Sequence, residues 1–318
     1  MRMRNGIGVF LCLMLTTVRA QTGTFCGERA SVPLTVVDKD SGALMHNLAP
    51  SAFRIRIDGH DTVAAAMSLP VDRPRFVILV DTSGSMYASD SKWKLARAVA
   101  EQAAQTAATE AETSVFTFAA EVSLIPTKIR GNEVQDIQNA FPGKPRARAP
   151  TALFDAIAQG AASIENPRPG DALLVITDAG DNRSKTSVRK LESFLISRGI
   201  RVSSILLVGG PPTDEEHAGQ QELEEVVAWT GGMGMTVVAS GLPFAGLVGP
   251  PLFDISPKHL AKVLASVNGI VATVIRSQLI DVQRISTTKR QHLKLEYKSS
   301  EHGKVELYYP KFLYPCSQ

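Results

Sequence analysis

The alternation of apolar and polar residues marks residues 32–70 of this chain as β structure. In residues 32–70 the apolar positions recur every second residue, as at Phe53, Ile55 and Ile57, and turn chemistry follows directly at Asp58. A period of two is typical of strands that bury one face against a core and leave the other in water. Residues 21–70 are therefore predicted to form an N-terminal segment of half-buried strands.

Residues 71–276 have a different pattern, in which continuous apolar runs alternate with helical periodicity. Such runs occupy residues 76–80, 173–176 and 205–208. Between them apolar residues recur three or four positions apart, as at Leu95, Val99 and Ala103. Because wholly apolar runs suit parallel strands that are covered on both faces, this stretch predicts a doubly wound, Rossmann-like α/β domain with a mainly parallel sheet.

After residue 276 the period of two returns. Alternating residues at 293–297 and 305–309 flank a polar turn, which predicts a C-terminal β-hairpin within residues 277–318. We expect this hairpin to pack with the N-terminal segment as a small β-sandwich beside the α/β domain.

Residues 1–20 have the features of a signal peptide. Arg2 and Arg4 precede an apolar stretch at residues 6–15, and small residues stand at the −3 and −1 positions before Gln21. We expect cleavage before Gln21, export to the periplasm or cell surface, and no transmembrane span afterwards. The alternative is an uncleaved anchor, although the apolar stretch is short for a span.

Charge argues against binding to nucleic acid or to anionic membranes. The formal net charge is +3. Arg2, Arg4 and Arg19 lie in the predicted signal peptide, so the remaining chain is near 3 − 3 = 0. A local basic stretch at residues 144–148 is interpreted as a solvated loop.

The cysteines fit an exported protein. Of the 3 cysteines, Cys12 lies in the predicted signal peptide, whereas Cys26 and Cys316 lie near the two ends of the remaining chain. In an oxidising compartment a Cys26–Cys316 disulfide would tie the ends together. Two free thiols or an intermolecular bond are the alternatives.

Oxygen-bearing side chains lie where the apolar strands end. Asp81, Ser83 and Ser85 directly follow the first strand, Asp178 follows the second, and Thr151 stands at the start of a predicted helix. In a doubly wound sheet these positions converge at the carboxyl ends of the strands. Hard oxygen ligands favour Mg²⁺ or Mn²⁺, with Ca²⁺ as a third candidate. Each residue alone has a simpler explanation, namely a turn or a helix cap.

The five residues together resemble the metal-ion-dependent adhesion site (MIDAS) of von Willebrand factor type A (VWA) domains. The motif reads Asp81-x-Ser83-x-Ser85, with Thr151 and Asp178 supplied later in the chain, and the resemblance covers residues 71–276. It implies that the hydroxyls bind the ion directly, that Thr151 does so in the ligand-competent state, and that the aspartates act directly or through water. It also implies that a carboxylate from a protein partner completes the coordination.

The flanking β segments resemble those of the secreted VWFA-related proteins of acidobacteria. That resemblance implies that the two flanks form a companion domain. Residues 239–255 depart from it, because they are apolar and rich in Gly and Pro. They are interpreted as a partly buried loop, with a partner-binding loop and, less readily, a membrane span as alternatives.

No catalytic arrangement accompanies the predicted metal site. Ser83 and Ser85 do not lie in a Gly-x-Ser-x-Gly motif, and none of the 6 histidines has zinc spacing or stands in triad order. We therefore expect a non-enzymatic protein that binds a partner through a divalent cation. The alternative is an envelope structural or assembly component in which the metal only stabilises the fold.

Overall fold

The computed structural model describes residues 28–87, 90–129, 149–209, 212–238, 256–286, 288–298 and 304–315. Its strands are β1 (Arg29–Asp38), β2 (Phe53–Ile57), β3 (His60–Thr62), β4 (Ala64–Ser68), β5 (Arg75–Asp81), β6 (Glu112–Phe118), β7 (Val122–Ile129), β8 (Ala172–Thr177), β9 (Arg201–Val208), β10 (Gly234–Val238), β11 (Gln278–Gln283), β12 (Gln291–Tyr297), β13 (Val305–Tyr308) and β14 (Phe312–Leu313). Its helices are α1 (Asp90–Ala108), α2 (Leu153–Ala162), α3 (Val188–Ser197), α4 (Asp214–Thr230) and α5 (Pro257–Ile275). The predictions for residues 1–20, Cys26, Cys316, 144–148 and 239–255 lie outside the described residues.

The central sheet has the strand order β10-β9-β8-β5-β6-β7. Neighbouring strands from β10 to β6 are parallel, and β7 pairs antiparallel with β6 at one edge. The chain winds outward from β5 in one direction and then from β8 in the other, so the order reverses between these two strands. The doubly wound, mainly parallel fold is confirmed, and its switch point lies between β5 and β8.

Helices cover both faces of this sheet. On one face α1 and α5 pack on the side chains of Phe76, Ile78 and Val80. On the other face α2, α3 and α4 pack on the alternate residues Val77 and Leu79. Every one of these β5 side chains is buried, which is why the strand is apolar at successive positions rather than at every second one.

Helix α4 carries few apolar residues, and its hydrophobic periodicity did not predict it. Its ends are nevertheless encoded locally. Thr213 and Glu216 form a reciprocal capping box, and Gly231 ends the helix with a left-handed φ of 73°. The capping residues were therefore the usable sequence signal for this helix.

The N- and C-terminal flanks build two further sheets, with orders β13-β1-β11-β4 and β14-β12-β2-β3. Every neighbouring pair in them is antiparallel. The predicted C-terminal hairpin is wrong, because β12 pairs with β2 whereas β13 pairs with β1 in the other sheet. β11, β12 and β13 each pair with a strand of the N-terminal flank, whereas β14 pairs with β12. The inner faces of both sheets share one apolar core. The division into domains at residues 21–70, 71–276 and 277–318 stays a prediction.

Strand β1 departs from the expected half-burial. Val32 and Leu34 face the sandwich core as predicted, but Pro33 and Thr35 on the other face are also buried. The reason is that this face lies against the α/β domain, where the Thr35 hydroxyl accepts a hydrogen bond from Arg201 Nη1 at 3.2 Å. The sandwich therefore packs on the amino-end edge of the central sheet.

Among the described helices, α5 is long and apolar enough to cross a membrane by length and composition, with a mean hydropathy of 1.2 over its most apolar window. Its inward face, which includes Val263, Val267 and Val271, is buried against α1 and the sheet. Ser256 caps its first turn and Pro257 occupies the first position.

Candidate metal site

Asp81 is the last residue of β5 and lies at the switch point of the sheet. It is fully buried. One carboxylate oxygen accepts the Ser83 N–H at 2.8 Å, and the other accepts the Thr177 hydroxyl at 2.5 Å. Burial, followed by the charge of Asp178, raises the pKa of Asp81 to about 7. The charge of Asp178 thus opposes the ionisation of Asp81, and a cation between the two carboxylates would relieve that repulsion.

Ser83 and Ser85 follow in the turn that connects β5 to α1. Their hydroxyl oxygens lie 3.1 Å apart. Ser83 is fully buried, and Ser85 opens a short 3₁₀ helix, Ser85–Tyr87. The backbone N–H of Gly84 between them donates to Ala149 O at 2.8 Å, which ties this turn to the segment that precedes α2.

Asp178 directly follows β8, the strand beside β5. It is 2% exposed, and its Oδ1 atom is buried without a hydrogen-bond partner among the described residues. An unsatisfied buried carboxylate oxygen is costly and calls for an explanation. An ion that is not part of the polypeptide is one such explanation.

Lys92 on α1 also points into this site, and sequence reasoning missed it. Its side chain is almost completely buried, and its ammonium group forms a salt bridge with Asp178 Oδ2. It also lies 3.5 Å from the carbonyl oxygen of Ser85. One feature of the sequence could have indicated Lys92, namely that it is a lysine on an alanine-rich helix shortly after the Asp-x-Ser-x-Ser turn. Lysines are rarely buried unless they are paired, so a lysine on the inward face of such a helix would need an acidic partner.

Thr151 is buried beside the same edge of the sheet. Its carbonyl oxygen accepts the N–H groups of Asn182 and Arg183 at 3.1 and 3.0 Å, and its own N–H donates to Asn182 Oδ1 at 3.0 Å. These bonds join the loop before α2 to the loop after β8. The structure therefore brings the Thr151 and Asp178 loops together through their backbones.

Thr151 is not the cap of α2, which was its simplest single-residue explanation. The N-cap position is Ala152, which makes no side-chain cap hydrogen bond. Asp181 Oδ1 accepts the Leu153 N–H at 3.0 Å instead, and Ser184 Oγ accepts the next N–H, that of Phe154, at 3.0 Å. Because the β8 loop caps α2, the Thr151 side chain is not needed for capping.

The loop that carries Asp178 is held in an unusual conformation. Ala179 has a φ of 68°, in the left-handed region that non-glycine residues rarely adopt. Helix α4 supports it from behind at Gly219, where a Cβ atom would lie 1.8 Å from Ala179 O. The Gln220 side chain also donates to Asp178 O at 3.3 Å. The position of Asp178 therefore depends on close packing of α4 against its loop.

The resulting donor set consists of carboxylate and hydroxyl oxygens. In the described part of the chain, no group of three or more His, Cys, Asp or Glu residues is arranged to hold a metal. A metal at this edge would thus depend on hydroxyls as well as on the two aspartates. This chemistry fits a hard divalent cation rather than a soft one.

Comparisons with known proteins bear on the same part of the chain. The family model described as the von Willebrand factor type A domain matches residues 76–181. This range includes β8, all of β5 after its first residue, and the five candidate ligands. No curated protein matches this sequence. The narrower resemblance to acidobacterial proteins stays a prediction.

Several solved structures are similar in fold. A von Willebrand factor type A protein from Catenulispora acidiphila is 12% identical, with a TM-score of 0.47, over 81% of this chain and 72% of that one. Proximal thread matrix protein 1 from the mussel byssus, with a zinc-occupied MIDAS motif, is 17% identical, with a TM-score of 0.46. That match covers 67% of this chain and 49% of the mussel protein, so this chain aligns with about half the length of that protein.

An aerotolerance-related membrane protein from Bacteroides fragilis is 15% identical, with a TM-score of 0.42, and the match covers 62% of this chain and 98% of that one.

VWA domains generally mediate protein interactions and are typically not enzymes. The doubly wound sheet and the match at residues 76–181 agree with each other, and this chain therefore carries a von Willebrand factor type A domain.

Proposed function

We propose that this protein binds an acidic group of a protein partner through a divalent cation held by Asp81, Ser83, Ser85, Thr151 and Asp178. The buried, unsatisfied Asp178 Oδ1 beside the Asp81 carboxylate is the observation that carries the proposal. The cation would be Mg²⁺ or Mn²⁺, with Ca²⁺ as the third candidate, and it would supply a positive charge with an open position for the partner.

The Ser83 and Ser85 hydroxyls form a hydrogen bond with each other, and their separation also suits two neighbouring ligands of an octahedral ion. Two adjacent ligands of an octahedral Mg²⁺ at about 2.0–2.1 Å lie about 2.9 Å apart. The Ser83 and Ser85 hydroxyl oxygens lie 3.1 Å apart, close to that value. They would serve as neighbouring direct ligands.

The hydrogen bonds of the aspartates assign them different tasks. Both oxygens of Asp81 already accept hydrogen bonds, from Ser83 and Thr177, so Asp81 would mainly orient the turn and hold coordinated water. Asp178 has one oxygen without such a bond, so it is the better direct ligand. With Asp178 as the one carboxylate bound directly, the ion and its direct ligands would keep net positive charge and attract a carboxylate from outside.

The test is a pull-down with the full chain from extracts of its source, run in Mg²⁺ and in EDTA. Asp81→Asn is the test variant, and Asp214→Asn, on the exposed first turn of α4, is the matched control. The proposal expects a partner that is retained only with Mg²⁺ and Asp81, and that is lost after its carboxyl groups are amidated.

Partners that bind equally in EDTA and to Asp81→Asn would contradict the proposal. If EDTA instead lowers the unfolding temperature without changing any binding, the alternative of an envelope structural component with a purely stabilising metal would replace it.

We also propose that the protein is secreted and that Cys26 and Cys316 form a disulfide. The N-terminal pattern of residues 1–20 supports export. Arg284 supports the disulfide, because its N–H donates to Glu28 O at 2.8 Å and its Nη1 donates to Tyr314 O at 2.7 Å. Glu28 lies two positions after Cys26, and Tyr314 lies two positions before Cys316. Mass spectrometry of the exported protein, digested without reduction, should detect the linked peptides and an N-terminus at Gln21.

A further inference from the structure

Lys92 gives the candidate metal site a cation of its own. The residue lies in the first turns of α1, directly after the turn that bears Ser83 and Ser85, and only 5% of it is exposed. Its ammonium group contacts Asp178 Oδ2, so the partner of this buried positive charge is one of the five candidate metal ligands.

The two carboxylates of the site are treated differently by the surrounding residues. Asp81 is held by two neutral donors, the Thr177 hydroxyl and the Ser83 N–H. Asp178 is held by the charged group of Lys92, while its second oxygen lacks a hydrogen-bond partner in the described part of the chain. The ammonium therefore neutralises the very carboxylate that is best placed to bind an ion directly.

An ammonium and a divalent ion on one buried carboxylate repel each other strongly. If the ammonium and the divalent ion lie about 4 Å apart, their repulsion would weaken binding of the ion by about tenfold or more, even at the dielectric constant of water. Either Lys92 leaves Asp178 when the ion binds, or the ion binds against its charge. Both routes make binding of the ion weaker than it would be without the lysine.

We infer that Lys92 is an internal competitor of the divalent cation, which holds Asp178 in the metal-free protein and lowers the affinity of the site for metal. This inference rests on the proposed metal site. It assigns a tuning role to a residue outside the Asp-x-Ser-x-Ser motif, because the lysine sets how much free cation is needed before the site can accept a partner carboxylate.

Competition has a signature that a purely structural salt bridge lacks. Removing the charge of Lys92 should destabilise the metal-free protein, since Asp178 is then left buried without its partner. The same change should strengthen metal binding. A lysine that only supports the fold would weaken both properties or leave binding unchanged.

The experiment uses the full chain, with Mn²⁺ as the probe, and follows free Mn²⁺ by electron paramagnetic resonance. Lys92→Met removes the charge from an unbranched side chain, and Lys92→Gln keeps a donor for Asp178 and covers the case in which the methionine variant does not fold. Lys94→Met, on the exposed side of the same helix, is the control. Thermal unfolding in EDTA is measured in parallel.

We expect the Lys92 variants to bind Mn²⁺ about tenfold or more tightly than the unchanged chain. We also expect them to unfold at a lower temperature in EDTA, and the Lys94 control to change neither property. If the Lys92 variants bind Mn²⁺ and the unchanged chain does not, that result would also support the inference. Lys92 would then block the site completely in the unchanged chain.

Two results would overturn the inference, and they differ in whether they also contradict the proposed metal site. If the unchanged chain binds Mn²⁺, Asp178→Asn abolishes binding and the Lys92 variants bind equally or more weakly, the metal site stands and only competition is excluded. If neither the unchanged chain nor any Lys92 variant binds Mn²⁺ at millimolar concentration, the proposed metal site fails together with the inference.

Discussion

The two edges of the central sheet each bury a cation, but they surround it with different partners. At the carboxyl-end edge, Lys92 faces the carboxylate of Asp178. At the amino-end edge, Arg201 is 1% exposed and donates to the Thr35 hydroxyl, to Val274 O and to the Ser277 hydroxyl at 3.2, 2.5 and 2.9 Å, with no carboxylate among these partners. Burial lowers the pKa of Arg201 to about 10.

The different partners indicate different roles for the two buried cations: Arg201 belongs to an interface between two parts of the fold, and Lys92 belongs to the candidate metal site. The partners of Arg201 come from β1, from the end of α5 and from the residue before β11, so its guanidinium joins the sandwich to the α/β domain. A guanidinium suits this place because it stays charged and has several donors for fixed acceptors. Lys92, by contrast, lies against an acid that another cation can claim. The amino-end edge is expected to carry stability, and the carboxyl-end edge to carry binding.

The largest expected effect tests the amino-end edge. Asp171 is fully buried before β8 and accepts bonds from the Arg75 N–H at 2.8 Å, from the Arg75 guanidinium and from the Arg168 N–H at 2.8 Å. Asp171→Ala should lower the free energy of unfolding by about 3–5 kcal/mol, because it leaves these donors without their partner. Urea unfolding measures the change.

The control for that prediction is Asp72→Ala. Its carboxylate pairs with Arg168 at 2.8 Å, but its side chain is 63% exposed. It should cost less than about 1 kcal/mol. The Mn²⁺ affinity of folded Asp171→Ala should equal that of the unchanged chain, and a large loss of affinity would contradict the separation of the two edges.

The second prediction tests the carboxyl-end edge through a glycine. Gly219→Ala places a Cβ 1.8 Å from Ala179 O, so α4 and the Asp178 loop must move apart. We expect a loss of about 3 kcal/mol in stability and a marked fall in Mn²⁺ affinity, because Asp178 is displaced.

Gly269→Ala is the matched helical control, since a Cβ there meets nothing within 4 Å. It should raise stability by about 0.5–1 kcal/mol, as expected for alanine in a helix interior. If Gly219→Ala bound Mn²⁺ normally, the placement of Asp178 by α4 would be wrong.

The third prediction concerns Arg201. Arg201→Met fills much of the same volume but leaves the Val274 carbonyl and the Ser277 hydroxyl without their donor. The free energy of unfolding should fall by about 1–3 kcal/mol. The expected effect of Arg201→Met on binding differs from that of Lys92→Met. Lys92→Met should raise the Mn²⁺ affinity, whereas Arg201→Met should leave it unchanged. A change in affinity would show that the two edges are coupled.

The smallest effect is expected on the outer face of the sandwich. The Arg54 guanidinium, followed by that of Arg56, lowers the pKa of exposed Asp61 to about 2. Because the folded pKa lies below the unfolded value of about 3.9, the pair stabilises the fold above about pH 4 and loses this contribution as the pH falls towards 2. Asp61→Asn should flatten the pH dependence of unfolding in that window. An unchanged pH profile would show that this exposed pair does not contribute.

The three apolar runs and the helical periodicity between them were sufficient to predict the doubly wound sheet, and the residues that follow β5 and β8 predicted the convergence of Asp81 and Asp178. Both are consequences of local pattern, since parallel strands in a wound sheet end at the same edge. The capping box of α4 was readable in principle, because capping residues act within one turn. That the five candidate residues bind metal stays a prediction.

Pairing between distant strands was not readable in the same way. A period of two identifies a strand but does not name its partner, so β12 and β13 were predicted as a hairpin although each pairs with a different N-terminal strand. The burial of Pro33 and Thr35 likewise depends on a second surface that their own alternation does not contain.

The amino-acid sequence by itself determined the order of elements, the apolar strands of the central sheet and the oxygen-bearing turns at their ends, because these follow from periodicity and from residues a few positions apart. Only the tertiary structure decided which flanking strands pair, that Arg201 joins the sandwich to the α/β domain, and that Lys92 reaches Asp178 across 86 residues of chain. Such contacts depend on how whole elements pack, and no local pattern records that packing.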